Sequence, residues 1–314
     1  MHLTPYQIGE LFALLTALCW TLSSLAFESA SRRAGSLPVN LLRMLVAFAG
    51  LCIVGQLSDR HRALPVDAPA DAWRWLLLSG VVGFFIGDLA LFRAFVILGA
   101  RLSQLLMSLA PPMASIVGFA LLGERISRIG WLGMFVTLAG VALVVSERRR
   151  DDQSGEHRHP GAWGITLGVI GAAGQAVGFV LSKRGMEHFN HPFAATQIRA
   201  IAGIALFALL IIAARDLPRV ARTLRDGRAM LMLTLGAITG PFLGVSLLLM
   251  SLSHEVPTGV ASTLAATVPV MILPFVILIK REHVSWRAAV GAAIAVAGIA
   301  IMLVLAPKAG AIGS

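Results

Sequence analysis

Residues 111–140 read PPMASIVGFALLGERISRIGWLGMFVTLAG, and residues 269–298 read PVMILPFVILIKREHVSWRAAVGAAIAVAG. The same residue types recur in the same order in both segments, at a constant offset of 158 residues. Pro111 falls on Pro269, Met113 on Met271, Glu124 on Glu282, Ser127 on Ser285, Gly133 on Gly291 and Gly140 on Gly298. This agreement in register predicts that the chain contains two copies of one structural unit.

Working outward from these segments, long apolar stretches fill almost the whole chain. Hydrophobic residues make up 57% of the sequence and charged residues only 13%, a composition that excludes a soluble domain of this size. A helix needs roughly 20 residues to cross the hydrocarbon of a bilayer, so we expect ten transmembrane helices. Their predicted ranges are 8–28, 39–57, 74–98, 100–122, 129–146, 161–182, 193–214, 229–252, 258–279 and 284–306.

Five spans in each copy have a topological consequence. An odd number of spans forces the two copies to lie in the membrane with opposite orientations. The expected fold is therefore an all-α polytopic membrane protein, with ten transmembrane helices forming two inverted five-helix repeats around a central cavity. Inverted repeats are typical of transporters, with the substrate site near the midplane. We expect the first repeat at residues 1–146 and the second at 161–314, joined by a polar linker at 147–160.

The formal net charge of +10 comes mostly from Lys and Arg in short loops between the predicted spans. Anionic lipid and the positive-inside rule explain such residues, so we expect a bilayer and no nucleic acid as partner. The loops after odd-numbered spans hold more of these cations, which places both termini outside the cytoplasm. The first apolar stretch follows no Lys or Arg and is expected to be a mature helix rather than a signal peptide.

Spans one and six each carry a stripe of small residues along one helix face. In span six these are Gly161, Gly164, Gly168, Gly171, Gly178, Ser182 and Gly185, with Gln175 among them. Trp20 overlays Gln175 at an offset of 155 residues, and we predict that the two face each other across the pseudo-twofold axis. The stripes fit either close helix packing or the lining of a polar cavity. Trp20 either stacks on a flat substrate or fills space.

Asp88 lies near the centre of span three, with Phe84 and Phe92 at helical spacing. An ionisable residue at that depth costs about 2.5 kcal/mol or more unless it is paired or hydrated. Arg43 and Arg93, which like Arg199 fall inside spans, are the expected partners. A structural ion pair and direct binding of substrate or proton both remain open.

Polar side chains on spans four and nine complete the candidate site. Hydroxyl groups there either satisfy carbonyls freed by the prolines or donate neutral hydrogen bonds to a zwitterion. The predicted substrate-binding residues are Trp20, Ser24, Phe84, Asp88, Gln104, Ser108, Gln175, Ser262 and Thr263. Cys19 and Cys52 both fall inside spans, and we expect no disulfide, metal site or cofactor.

The repeated unit resembles the EamA family of the drug/metabolite transporter superfamily. The resemblance rests on the midspan prolines, on the Leu-Gly-Glu-Arg segment ending at Arg125, and on the closing Gly-x6-Gly of spans five and ten. Within that family the chain looks most like YddG-type exporters of aromatic and other neutral amino acids. That likeness implies a ten-helix basket, a cavity lined by spans 1, 3, 4, 6, 8 and 9, and a bacterial inner-membrane location. The midspan glutamate of the related small multidrug-resistance proteins is absent from span one.

The predicted function is export of neutral, preferably aromatic, amino acids by alternating access, by a chain that can act as a monomer. Another small metabolite or a drug-like organic cation is an alternative substrate, and a membrane receptor or structural protein is a remote alternative of another class. We do not expect an enzyme, because the sequence has no catalytic constellation; its only paired aspartates are Asp151 and Asp152 in the linker. Substrate identity, proton coupling and oligomeric state are left open.

Overall fold

The computed structural model describes residues 4–58, 63–146, 162–187, 189–271 and 286–305, and this part of the chain is helical apart from short connections. The helices are α1 (Pro5–Ala34), α2 (Ser36–Leu57), α3 (Ala70–Ser79), α4 (Asp88–Met107), α5 (Ala110–Leu122), α6 (Arg128–Ser146), α7 (Ala162–Met186), α8 (Pro192–Ala213), α9 (Leu217–Arg225), α10 (Gly227–Ala237), α11 (Val245–Ser253), α12 (Thr258–Ala265) and α13 (Trp286–Ala300). Three π-helical segments continue them: Gly80–Gly87 joins α3 to α4, Ile238–Gly244 joins α10 to α11, and Ile301–Leu305 extends α13. The predicted linker lies outside the described residues.

Within the described residues, seven helical stretches are long and apolar enough to cross a membrane: Pro5–Ser31, Ser36–Leu57, Ala70–Ala94, Ala162–Met186, Pro192–Ala213, Gly227–Ser253 and Trp286–Val304. Three shorter apolar helices stand at Ala110–Leu122, Arg128–Val144 and Thr258–Met271. Large apolar side chains such as Ile53, Ile116 and Leu209 point outward, as a lipid-facing surface requires. The chain is an all-α, multi-pass integral membrane protein, as the sequence predicts.

Local sequence signals account for where several helices begin and end. Thr4 and Gln7 form a capping box at the start of α1, in which each side chain hydrogen-bonds the backbone N–H of the other residue. Proline occupies the first turn of α1, α5 and α8, where its missing N–H leaves no hydrogen bond unmade. Gly123 ends α5 in the left-handed conformation, with φ of 66°, which glycine adopts without steric cost.

One predicted boundary is wrong. The sequence placed the end of span three and the start of span four at 98–100, but α4 runs through this region from Asp88 to Met107. A single glycine at position 99 costs a helix only about 1 kcal/mol and does not end it. The break comes at Ser108 and Leu109, immediately before the helix containing Pro111 and Pro112. Proline lacks the N–H that would continue the ladder and disfavours the helical conformation of the residue before it.

The helices pack in pairs that recur when the two halves of the chain are exchanged. α1 packs against α10, the Ile238–Gly244 segment, α11 and α12, while α7 packs against α3, the Gly80–Gly87 segment, α4 and α5. α2 lies along α8, and α6 lies along α13. Each half therefore covers the helices of the other half rather than folding as a separate bundle.

Candidate functional site

Asp88 begins α4 at the point where the Gly80–Gly87 π-helical segment ends. Its carboxylate forms an ion pair with the guanidinium of Arg43 on α2. The amide of Gln175 on α7 donates a hydrogen bond of 2.8 Å to Asp88 Oδ1 and a second, of 3.3 Å, to the carbonyl oxygen of Gly83. Asp88 and Arg43 are both buried, so the two charges balance each other away from water.

Glycine residues bring these elements close enough for the Gln175 amide to reach Asp88. A Cβ atom placed on Gly83 would lie 3.5 Å from the Cα atom of Gly178, and one on Gly174 would lie 2.7 Å from the Cα atom of Gly87. The backbones of α7 and the π-helical segment are therefore in direct contact. The small-residue stripe of span six serves close packing, and that packing also presents Gln175 to Asp88.

Of the two expected partners of Asp88, only Arg43 forms the ion pair. Its guanidinium also lies over the rings of Phe27, 5.3 Å from the centroid, and Phe92, at 5.0 Å. Arg93 is exposed and lines a surface groove of about 440 Å³. Five residues separate Arg93 from Asp88, which turns it about 140° around an ideal helix and away from the Asp88 face.

Arg199 on α8 is a second buried arginine, with no exposed surface. Its guanidinium lies 4.5 Å from the centroid of the Phe84 ring and 5.7 Å from that of Phe179. Within the described part of the chain, none of its three guanidinium nitrogens has a hydrogen-bond partner. Arg199 lies inside a predicted span but is not among the predicted site residues, although it follows Arg43 by 156 residues, close to the repeat offset.

Trp20 on α1 reaches this cluster through Phe179. The two rings stack with centroids 6.2 Å apart and an interplanar angle of 23°. Phe179 follows Gln175 by one turn of α7, and the other side of Trp20 rests against Gly244. Trp20, Phe84, Asp88 and Gln175 thus belong to one connected set of contacts between the two halves, together with Phe179, Arg43 and Arg199.

The described hydrogen bonds of two further predicted residues stay within their own helices. The hydroxyls of Ser24 and Thr263 donate to carbonyls of their own helices, Ser24 to Thr21 at 2.8 Å and Thr263 to Gly259 at 2.7 Å. Ser262 is buried in α12, and Ser108 lies at the break before α5. The side chain of Gln104 lies outside the described residues. Whether these five side chains bind substrate remains a prediction.

A second polar network ties the two halves together at the end where α5 and α7 finish and α12 begins. The Glu124 carboxylate pairs with Lys183 Nζ at 2.7 Å and accepts from the backbone N–H of Thr258 at 2.8 Å and from its hydroxyl at 2.9 Å. Lys183 also donates to the carbonyl of Val256 at 2.7 Å. We call this set the Glu124 latch. The sequence repeat marks Glu124 as a repeated residue but does not predict its contacts with Lys183 and Thr258.

Comparison with known proteins identifies the family of this chain. The model of the EamA-like transporter family matches residues 7–146 and again residues 162–304. The chain belongs to the EamA-like transporter family. Its two matches mean that this EamA-like protein contains the family unit twice, as the sequence repeat predicts.

Individual relatives agree with this assignment. The protein is 23% identical over 198 residues to the probable transport protein YPL264C of Saccharomyces cerevisiae, which covers 58% of this chain and 53% of the yeast protein. It thus spans about half the length of that relative. A permease-like protein of Bacillus subtilis, YdzE, is 34% identical over 58 residues, 18% of this chain and 74% of YdzE. A solved crystal structure shares the fold, with a TM-score of 0.70 at 19% identity over 95% of this chain and 97% of the other.

Proposed function

We propose that this EamA-like protein exports neutral amino acids, preferably aromatic ones, across the bacterial inner membrane by alternating access. In this proposal ten transmembrane helices form two inverted five-helix repeats, residues 1–146 and 161–314, joined by the linker at 147–160. The substrate occupies a central cavity between the repeats. Family membership supports transport of a small molecule, and the more specific claims rest on the site.

The observation that carries the substrate class is the contact set joining Trp20 and Phe179 to Gln175 and Asp88. An amino acid has an apolar side chain at one end and a polar zwitterion at the other. Aromatic faces bind the first by stacking, and amide and carboxylate oxygens accept hydrogen bonds from the ammonium group. The aromatic ring of Phe179 and the amide of Gln175 lie one helical turn apart on α7.

The pairing of helices supports alternating access. Because α1 and α7 each pack on the opposite half, a rigid-body movement of one repeat against the other changes both ends of the cavity together. In this proposal the Glu124 latch, which joins α5 and α7 to the start of α12, closes one end of the cavity. In the transport cycle, breaking the latch opens the substrate site to the side of the membrane at which the latch lies.

The charge balance at Asp88 favours an amino acid over an organic cation. An exporter of cations needs a buried carboxylate that the substrate itself neutralises, whereas Asp88 is already neutralised by Arg43. A zwitterion brings no net charge and is compatible with this pair. A cationic drug would have to displace Arg43 from a buried position.

The test is transport into liposomes containing the purified protein. Labelled phenylalanine, tryptophan, methionine and threonine are each compared with tetraphenylphosphonium, with and without a pH gradient, against empty liposomes. We expect protein-dependent flux of the amino acids, fastest for phenylalanine and tryptophan, and none of the cation. Flux of the cation alone would support the alternative substrate class, and absence of amino-acid flux would refute the proposal.

A further inference from the structure

Arg199 is a buried cation inside a membrane span whose N–H groups have no described acceptor. It is fully buried, and its guanidinium nitrogens lack hydrogen-bond partners within the described residues. The aromatic rings of Phe84 and Phe179 attract the cation through their faces, but they accept no strong N–H hydrogen bonds. Asp88 attracts Arg199 electrostatically, but within the described residues it accepts no hydrogen bond from it, because its carboxylate is engaged by Arg43 and Gln175. Buried guanidinium N–H groups without acceptors are costly, and charged residues in membrane spans commonly mark ligand sites.

Comparison of the two copies shows that Arg199 has no carboxylate in its own copy, whereas Arg43 has Asp88. Arg43 and Arg199 occupy the same position of α2 and α8, because both helices are 22 residues long and each arginine is the eighth residue. In the first copy Arg43 pairs with Asp88, the residue that follows the π-helical segment by one position. In the second copy neither neighbour of that position is acidic: Val245 follows the π-helical segment, and Ser246 stands 158 residues after Asp88.

At the repeat offset, Ser246 takes the place of Asp88 in the second copy. Its hydroxyl donates to Thr196 Oγ1 at 3.2 Å, and Thr196 precedes Arg199 by about one turn of α8. Among the described residues, the cluster therefore holds two buried guanidinium groups, of Arg43 and Arg199, and one carboxylate, of Asp88, which leaves one positive charge in excess. An anionic group from outside the chain would balance it.

We propose that Arg199 binds the carboxylate of the transported substrate. The inference rests on the proposed function and deepens it, because it assigns the carboxylate as the group that every substrate must carry. The rings of Phe84 and Phe179 cover the guanidinium, while its N–H groups remain available for a bidentate carboxylate. The Gly83 backbone packs beside this group, since a Cβ there would lie 3.2 Å from Arg199 Nη2, and no side chain at position 83 competes for the guanidinium.

The first test measures binding without transport. Purified protein in detergent is titrated with 3-phenylpropionate, which has the carboxylate and ring but no amine, and with 2-phenylethylamine, which has the ring and amine but no carboxylate. Thermal stabilisation and tryptophan fluorescence report binding. We expect 3-phenylpropionate to bind, and Arg199→Gln to weaken it about thirtyfold, as loss of one partner of a buried charge pair does. Arg93→Gln, which removes an exposed arginine on α4 of the other half, serves as the control and should bind like the wild type.

A second variant keeps the inference testable if Arg199→Gln fails to fold. Ser246→Asp supplies the second copy with the carboxylate that it lacks. We expect a higher melting temperature, because Arg199 gains a permanent partner, and at least about tenfold weaker binding of 3-phenylpropionate, because the site is already occupied. A melting temperature at or below that of the wild type with unchanged binding would overturn the assignment.

The two proposals fail in different ways. Protein that transports phenylalanine, but binds 3-phenylpropionate no better than 2-phenylethylamine, keeps its function and refutes the role of Arg199. The same holds if Arg199→Gln binds like the wild type. Protein that binds 3-phenylpropionate through Arg199, yet moves no amino acid, keeps the carboxylate site and refutes the proposed function.

Discussion

At the scale of single residues, Asp88 and Arg43 neutralise each other's buried charge. Asp88→Asn keeps the shape and the oxygen that accepts from Gln175 but removes the charge, leaving Arg43 buried and unpaired. We expect a loss of about 3 kcal/mol in the free energy of unfolding, visible as a lower melting temperature. Adding Arg43→Gln should recover part of the loss, since the uncompensated cation is then gone. A wild-type melting temperature with abolished flux would instead make Asp88 a substrate or proton ligand.

The stacked pair of Trp20 and Phe179 gives a second prediction for a single residue. Trp20→Ala removes an aromatic face next to the polar cluster, so transport of phenylalanine and tryptophan should fall about fivefold while threonine transport changes less. Initial rates in liposomes for the three substrates provide the comparison. Trp163→Ala, at a tryptophan that is 65% exposed, is the matched control. Equal loss for all three substrates would assign Trp20 to packing.

Some of these residues could be predicted from the sequence and others could not, for physical reasons. Asp88 was predictable because a carboxylate at membrane depth must be balanced by something nearby. The choice of Arg43 over Arg93 required the helix geometry that turns one arginine toward the carboxylate and the other away. Arg199 was missed because a cation inside a span ordinarily implies a partner. That its own copy supplies no carboxylate becomes visible only when Ser246 is aligned with Asp88.

At the scale of helices, the Glu124 latch holds α12 against α5 and α7. Glu124→Gln removes the charge that Lys183 and the Thr258 N–H share. Hydrogen bonds to charged groups contribute about 1.5–3 kcal/mol each, so amide protons at the start of α12 should exchange about tenfold faster or more. Hydrogen exchange measured by mass spectrometry tests this.

The control is Glu187→Gln, which breaks only the exposed pair with Arg184 and should leave exchange at the start of α12 unchanged. Unchanged exchange in Glu124→Gln would mean that other contacts hold this end closed.

Asp226 caps the start of α10 and gives a prediction about pH. The backbone N–H of Ala229, together with Arg33 and the Arg228 N–H, holds the pKa of its carboxyl below the ordinary value of 3.8. A carboxylate with a lowered folded-state pKa stabilises the protein fully above its ordinary pKa, and this contribution disappears as the pH falls through the lowered value. The melting temperature of the wild type should therefore exceed that of Asp226→Asn by a constant margin from pH 7 to 5. The margin should shrink toward pH 3, and a margin independent of pH would contradict the assignment.

Helix boundaries show where local sequence signals are sufficient. Proline and glycine chemistry accounts for the ends of α5, because both residues act on the backbone within one or two positions. The continuation of α4 past position 99 depends on tertiary contacts, such as Leu98 against Gly164 and Leu106 against Gly168 on α7. Packing of this kind overrides the weak preference of one glycine, and a single sequence does not reveal it.

At the scale of the whole molecule, α6 and α13 fasten the first half to the second. Gly140 meets the backbone of Ala295 so closely that no side chain fits, and a Cβ on Gly291 would lie 2.9 Å from the Gly140 carbonyl oxygen. Gly140→Ala should therefore push the two helices apart and cost about 1–3 kcal/mol, measured as a lower melting temperature. Gly227→Ala is the control, because a Cβ there meets nothing within 4 Å. Equal melting temperatures for both variants would show that α6 and α13 separate without cost.

The two interior π-helical segments indicate the order of events in the evolution of the repeat. A π turn holds one residue more than an α turn, so each segment is equivalent to an α-helix into which one residue has been inserted. Gly80 and Ile238, where the segments begin, stand 158 residues apart, the same interval that separates Pro111 from Pro269. One insertion in an ancestral gene, before that gene was doubled, explains both. The substitution that distinguishes Asp88 from Ser246 then came after the doubling, and a relative encoded by a single, unduplicated gene should carry the same extra residue in its third helix.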